Sequence, residues 1–244
     1  MKILIVNDDS ISAPGIALLA EAAKAYGEVT VVAPARQCSA LSQKLTLRET
    51  MVLRKAEDFP VEDCAAYSLD GTPVDCVKVA LEHILEEKPD FVFSGINNGY
   101  NAGFDIAYSG TLGAAFEAAR AGIPAIAFSV AADSHLEAVR SLLPEVIREL
   151  LEGEREPGAV WNVNFPGLRT RPLAGILRDR LPAPASMFRE RYDAVDQSDG
   201  SEVLSCRGIP TPTEQFPVDS DAWAVRNGYI SIGKVRWGHT WEDC

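Results

Sequence analysis

Residues 2–9 read Lys-Ile-Leu-Ile-Val-Asn-Asp-Asp. Ile3, Leu4, Ile5 and Val6 follow one another without a polar break. A half-exposed strand alternates, whereas an unbroken β-rich run fits a strand covered on both faces, as in a parallel α/β sheet. The run leads straight into Asn7, Asp8 and Asp9. Two adjacent carboxylates at the carboxyl end of a buried strand repel each other and lose hydration, which is costly unless something offsets it. The usual offset is a divalent cation, and a hard one, because the ligands are oxygens.

Outward from that stretch, strand and helix signals alternate. Ser12 offers an N-cap and Pro14 a first-turn proline for a helix over residues 14–26, with Ile16, Leu18 and Leu19 on its apolar side and Gly27 after its end. Residues 29–33 read as a second strand stopped by Pro34, and residues 46–54 and 66–69 as short strands in hairpins beside the main sheet. Thr72-Pro73-Val74-Asp75 is a helix start, with a threonine cap, proline at N1 and an acid at N3. Val74, Val77, Leu81 and Ile84 then recur at helical spacing until Lys88-Pro89-Asp90. A strand over 91–93 ends at Ser94-Gly95, and a glycine-rich loop over 97–110 leads into a helix over 111–121. A strand over 123–130, one long amphipathic helix over 136–151 and a strand over 160–165 complete the pattern. Such alternation predicts a mostly parallel α/β sheet.

After Pro166 the character changes. Residues 167–220 are rich in Pro, Arg, Asp and Ser with weak helix signals, and a late strand is expected over 228–232. The expected division is a core over residues 1–166 and an extension over 167–244, built of hairpins or arms that serve oligomer contacts and return to the core.

The 244 residues, 47% of them apolar and 24% charged, suit a globular chain with a sizeable core. A net charge of -12 and a pI of about 4.7 argue against a nucleic-acid or membrane surface, both of which want a basic face. A small anionic ligand still fits if a metal supplies positive charge locally. No apolar run approaches the ~18 residues of a membrane span, and the four apolar residues before Asn7 are too few for the core of a signal peptide. Cys38, Cys64, Cys76, Cys206 and Cys244 are odd in number, scattered and free of any C-x-x-C pair, which reads as reduced thiols in the cytoplasm.

Open α/β sheets bind ligands beyond the carboxyl ends of their strands. The loops expected there carry Asn7, Asp8 and Asp9; Arg36, Gln37, Cys38 and Ser39; Asn97, Asn98 and Asn101; and Ser109-Gly110-Thr111 at a helix start. Carboxylates, a hydroxyl and an amide suit a hard metal, and the helix start offers hydroxyls and free N–H groups to an anion. A metal between them would polarise a phosphoryl oxygen and acidify water. His83, His135 and His239 stand in none of these loops. Blander readings stand beside these. The aspartates also suit helix caps, Asn97 and Asn98 suit turns, Ser109-Gly110-Thr111 suits a cap, Arg36 suits either a phosphate or solvent, and Cys38 suits an inert thiol. The G-x-x-x-x-G-K-[ST], G-x-G-x-x-G and G-x-S-x-G motifs are absent, and Ser10 and Ile11 stand where a D-x-D start would need an acid. No stretch reads a base.

Taken in order, six segments resemble the SurE family of survival-protein-E nucleotidases: residues 6–9 with 13–16, 31–34, 71–77, 94–101, 108–115 and 162–166. The resemblance covers roughly residues 1–166, with an echo at 228–232. It implies a three-layer, Rossmann-like fold and a metal-dependent phosphatase that releases phosphate from nucleoside 5'- or 3'-monophosphates. It also implies a homodimer or homotetramer whose C-terminal arms exchange between subunits. The family's metal ligands map to Asp8, Asp9, Ser39 and Asn97, with magnesium or manganese as the expected cation. The phosphate-facing set maps to Asn97, Ser109, Gly110 and Thr111, and the catalytic set to Asp8, Asp9 and Asn97. The sequence departs from the family at four of these surroundings. Ser10 and Ala40 stand where the family has glycine, Ala35 where it has an acid and Gln43 where it often has histidine. A permissive backbone is expected at position 10. Two other readings are a non-catalytic homologue that binds metal or nucleotide, and a receiver-like signalling module, which also opens on a strand ending in acids.

Overall fold

The computed structural model describes residues 1–132, 134, 136–168 and 172–236. His135, His239 and Cys244, named above, lie outside the described residues.

The strands are β1 (Lys2–Val6), β2 (Glu28–Pro34), β3 (Leu53–Lys55), β4 (Ala65–Leu69), β5 (Phe91–Asn98), β6 (Ala125–Val130), β7 (Ala159–Phe165), β8 (Gly175–Leu177), β9 (Phe188–Asp196), β10 (Glu202–Pro210) and β11 (Tyr229–Arg236). The helices are α1 (Pro14–Ala23), α2 (Pro73–Val79), α3 (Gly110–Arg120), α4 (Leu136–Arg140), α5 (Leu143–Glu152) and α6 (Asp221–Arg226). A π-helical turn, Ala80–Ile84, extends α2, and a 3-10 turn, Gly103–Tyr108, precedes α3.

Among the described residues, nine strands form one sheet in the order β3-β4-β2-β1-β5-β6-β7-β11-β8. Within it only β3 with β4 and β7 with β11 pair antiparallel. The unbroken apolar run of β1 has the predicted consequence. Ile3 and Ile5 point into one core with Ile16 and Leu19 of α1 and Val146 and Ile147 of α5, while Leu4 and Val6 point into the other with Val77 of α2 and Leu112 and Ala115 of α3. The result is three layers, α/β/α, as the Rossmann-like reading expects.

Several local expectations are corrected. Ser12 does not cap α1, because Ala13 holds the N-cap position without a side-chain bond and the Ser12 hydroxyl instead meets Ser10 Oγ at 3.1 Å. The long helix over 136–151 is two helices; Pro144 sits in the first turn of α5, where its missing N–H costs nothing and a new helix starts readily. Residues 46–52 are not strand, and β4 joins the main sheet parallel to β2. The third main strand does not end at Ser94. After a register shift it runs on, pairing Asn97 with Ser129 and Asn98 with Val130 of β6. Gly95 makes this possible, with φ +133 and a hypothetical Cβ only 2.3 Å from Phe128 O.

Past residue 166, β8 and β11 extend the same sheet, and a small third core gathers Ala183, Met187, Phe216, Ala222 and Val225 around Ala102. Strands β9 and β10 form a separate antiparallel hairpin that projects from the body, every residue of β9 being exposed.

Candidate active site

Beyond the carboxyl ends of β1, β2 and β5 lies a cavity of about 200 Å³. Asp8, Asp9, Ser39 and Asn97 all line it, as do Asn98, Asn101, Asp105, Tyr108 and Ser109. The four expected metal donors thus come together at one place. Gly110 and Thr111 are not in its wall; both stand behind Asp8. A Cβ on Gly110 would come within 3.0 Å of Asp8 Cβ, and Thr111 Oγ1 donates to Asp8 Oδ1 at 2.7 Å.

Each donor is held by its neighbours. Asn7 closes the turn that carries the acids by donating from Nδ2 to Ser10 O at 2.8 Å. Asp8 O accepts the Cys38 N–H at 2.7 Å, which ties the loop of Ser39 to the end of β1. Asp9 Oδ2 accepts the Asn98 N–H at 2.8 Å, and its Oδ1 accepts from Gln37 Nε2 at 3.3 Å. Asn97 Nδ2 donates to Gly99 O at 2.8 Å, which leaves Oδ1 as the side-chain atom that could serve a cation. Ser109 is the N-cap of α3, its Oγ accepting the Leu112 N–H at 3.1 Å, so the capping reading holds for that residue.

Two departures from the family pattern fall on unusual backbone. Ser10 has φ +94 and Ala40 φ +57, so both glycine-like conformations are kept by side chains that rarely adopt them. Thr72-Pro73-Val74-Asp75 caps α2 through reciprocal bonds, as expected, and does more. Asp75 also accepts from Thr46 N at 3.0 Å and Thr46 Oγ1 at 2.6 Å, and Thr72 Oγ1 donates to Lys44 O at 2.6 Å. The helix start therefore clamps the loop that brings Ser39 to the cavity.

The electrostatics are lopsided. Among the described residues, three carboxylates line the cavity and no Lys, Arg or His does. Burial, opposed by the Thr111 bond and helped by the neighbouring Asp9 charge, pushes Asp8 up to about 6. An ionised Asp8 therefore wants a positive partner, and the described residues of the wall supply none. The oxygen donors and this missing charge fit a hard divalent cation; among the described residues no cluster of three or more His, Cys, Asp or Glu offers an alternative. Arg36 stays in solvent beside Asp70 at 3.6 Å, and the Cys38 thiol is raised by burial and by Asp8, as befits an inert thiol.

Asp105 and Tyr108 were not expected in the site. The 3-10 turn delivers them, and no local pattern in the sequence marks it; Tyr108 was visible only as the residue before Ser109. Asn101 stands, as expected, in the loop that reaches the cavity. Its Nδ2 donates to Ser129 Oγ at 2.8 Å and its backbone O accepts from Asn162 and Asn164, a buried amide network across the ends of β6 and β7.

The family model described as Survival protein SurE matches residues 3–183. A Flavobacterium johnsoniae protein named 5'-nucleotidase SurE is 37% identical over 241 residues, which span 98% of this chain and 92% of the relative. A Thermus thermophilus protein named 5'-nucleotidase SurE 1 is 39% identical over 241 residues, covering 96% of this chain and 91% of its own. The crystal structure of a SurE protein from Aquifex aeolicus matches at TM-score 0.81 and 35% identity, over 99% of this chain and 95% of its own. With the family model spanning most of the sheet and relatives matching almost end to end, the chain belongs to the SurE family.

Proposed function

We propose that this protein hydrolyses nucleoside 5'-monophosphates, and 3'-monophosphates with them, to nucleoside and phosphate, using one divalent cation, magnesium or manganese. The observation that carries the reading is the carboxylate-lined wall of the cavity, without Lys, Arg or His among its described residues, in a chain similar throughout to proteins named 5'-nucleotidase. Among the described residues of the wall no basic side chain meets a dianionic phosphate, so a bound cation would supply the positive charge there.

Asp8, Asp9, Ser39 and Asn97 would hold the cation. Once bound it would polarise the phosphate oxygens and lower the pKa of water. The chain's own contribution is orientation. Thr111 fixes Asp8, Asn98 and Gln37 fix Asp9, and Gly99 turns the Asn97 amide. Of the residues at the N-terminus of α3, Ser109 lines the cavity, while Gly110 and Thr111, behind Asp8, would favour the phosphate only through the dipole of that helix. Asp8, Asp9 and Asn97 form the catalytic set. Water attacks phosphorus, the P–O bond to the nucleoside breaks, and the nucleoside oxygen leaves as a hydroxyl. The test is phosphate release from a nucleotide panel with Mg or Mn. Activity that EDTA abolishes and Asp8→Asn removes is expected; metal-independent turnover, or full activity in Asp8→Asn, sinks the reading. A receiver-like module finds no support in a nine-stranded sheet.

The extension over 167–244 is read as the oligomer-forming part, giving a homodimer or homotetramer. The β9–β10 hairpin supports this by holding Tyr192, Val195, Val203 and Leu204 out in solvent. Deleting residues 189–209 should lower the oligomeric mass measured by light scattering. Free thiols at Cys38, Cys64, Cys76 and Cys206 support a cytoplasmic location, and among the described residues no helix is long and apolar enough to cross a membrane.

A further inference from the structure

The cavity lined by the proposed metal donors is smaller than pockets that enclose a ligand of nucleotide size. Its volume is about 200 Å³, whereas pockets that enclose a drug-sized molecule run to ~300–1,000 Å³. It has room for a cation and a phosphate, so a nucleoside attached to that phosphate must lie across the rim. The rim has one face suited to a base. Among the described residues that line the cavity, Tyr108 alone carries an aromatic ring, and the residue is 61% exposed at the rim. It also directly precedes Ser109, the cap of the helix whose N-terminus faces the cavity.

The turn that presents Tyr108 is pinned on several sides. Tyr108 O accepts the Ser42 N–H at 3.0 Å and Phe104 N–H donates to Ala185 O at 3.2 Å. Asp105 Oδ2 accepts the Met187 N–H at 2.9 Å, and the Gly103 N–H donates to the buried Asp221 carboxylate at 3.0 Å. A Cβ on Gly103 would lie 2.2 Å from Ala185 O, so the turn and the segment beneath it meet backbone to backbone. An exposed tyrosine on so fixed a backbone offers a large flat surface at low entropic cost, because its side chain has only two torsions to order.

We propose that Tyr108 is the stacking platform for the nucleobase of the substrate, which rests on the phosphomonoester reading above. Stacking uses the π-face that every base has, so the site accepts all bases and prefers purines for their larger surface. Tyr108 then contributes to substrate binding and leaves the reacting phosphate alone.

The test compares wild type, Tyr108→Phe and Tyr108→Leu with Mn²⁺ on adenosine 5'-monophosphate and on ribose 5-phosphate, which is the same ester without a base. Tyr108→Leu should raise KM for the nucleotide about tenfold, the loss of one stacked base, with kcat little changed. Tyr108→Phe should restore it, and KM for ribose 5-phosphate should be the same in all three. Phe104→Leu, on the same turn but outside the cavity wall, should behave as wild type. An unchanged nucleotide KM in Tyr108→Leu, an equal rise for ribose 5-phosphate, or a rise in Phe104→Leu alone overturns the stacking role while hydrolysis itself stands. If no ester is turned over, calorimetric binding of adenosine 5'-monophosphate to the Mn²⁺-loaded proteins decides. Binding by wild type and Tyr108→Phe that is lost in Tyr108→Leu upholds the platform although the hydrolase reading has failed; equal binding by all three, or by none, overturns it.

Discussion

Thr111 Oγ1 donates to Asp8 Oδ1 at 2.7 Å, and both residues are buried. This bond orients the more buried of the two aspartates and lowers the cost of its charge, against the upward push of burial. It also explains why a threonine follows Gly110: the hydroxyl serves Asp8 from behind and does not reach the cavity wall.

Thr111→Val keeps the shape and removes the donor. The expected result is a folded protein whose affinity for Mn²⁺ falls by roughly 10–100-fold, the usual effect of losing a group that orients a ligand. Calorimetric titration with Mn²⁺ measures it. Unchanged affinity would show that Asp8 is oriented by its surroundings alone.

Ser10 and Ala40 stand in left-handed backbone at φ +94 and +57. Strain of this kind costs on the order of 1–3 kcal/mol, partly offset because glycine gives the unfolded chain more freedom. Ser10→Gly should stabilise by about 1 kcal/mol despite losing the 3.1 Å contact with Ser12. Ala40→Gly should gain less, since φ +57 lies inside the left-handed well. Urea midpoints report both, and a lower midpoint for Ser10→Gly would mean that its hydroxyl matters more than its backbone.

The sequence disclosed the parts of this site that are local and concealed the parts that are not. The ends of β1 were legible because four apolar residues meet three polar ones, and the cap of α2 because its residues are neighbours in the chain. Asn97 and Asn98 looked like turn formers, yet they pair with Ser129 and Val130 after a register shift that only the partner strand reveals. The break at Pro144 was written in the chain, but the apolar period runs across it and hid it. Asp105 and Tyr108 reach the cavity through a turn fixed by Met187 and Asp221, 82 and 118 residues away from the groups they hold. Long-range anchoring of that sort leaves no periodicity to read.

Asp75 carries a prediction with a pH signature. Burial opposes its charge, but bonds from Thr46 and Thr72 outweigh that and hold the carboxyl below its ordinary value of 3.8. A depressed folded pKa stabilises the fold above the unfolded value, and that stability is lost as pH falls from about 4 through the folded pKa. Asp75→Asn cannot accept from all of these donors and should cost about 1–3 kcal/mol at pH 7. The difference from wild type should shrink as pH drops below 4, seen in urea unfolding at several pH values. A constant difference would assign the loss to shape and not to charge.

The loop that carries Ser39 also depends on a residue with no side chain. Gly113, on the face of α3 toward that loop, would put a Cβ 2.2 Å from Ser42 O and 3.3 Å from Gln43 N. Both contacts are backbone, so no rotamer change relieves them and the loop must retreat. The Ser42 N–H would then be drawn from Tyr108 O, which it meets at 3.0 Å, and Ser39 would move away from Asp8 and Asp9. Gly113→Ala favours the helix by up to ~1 kcal/mol through propensity alone, whereas forced overpacking costs ~1–3 kcal/mol. A small net destabilisation should therefore accompany a large loss of Mn²⁺ affinity. Unfolding and calorimetric titration of the same sample separate the two, and a variant that is more stable with Mn²⁺ affinity intact would show that the loop brings Ser39 to the other proposed metal donors without resting on α3.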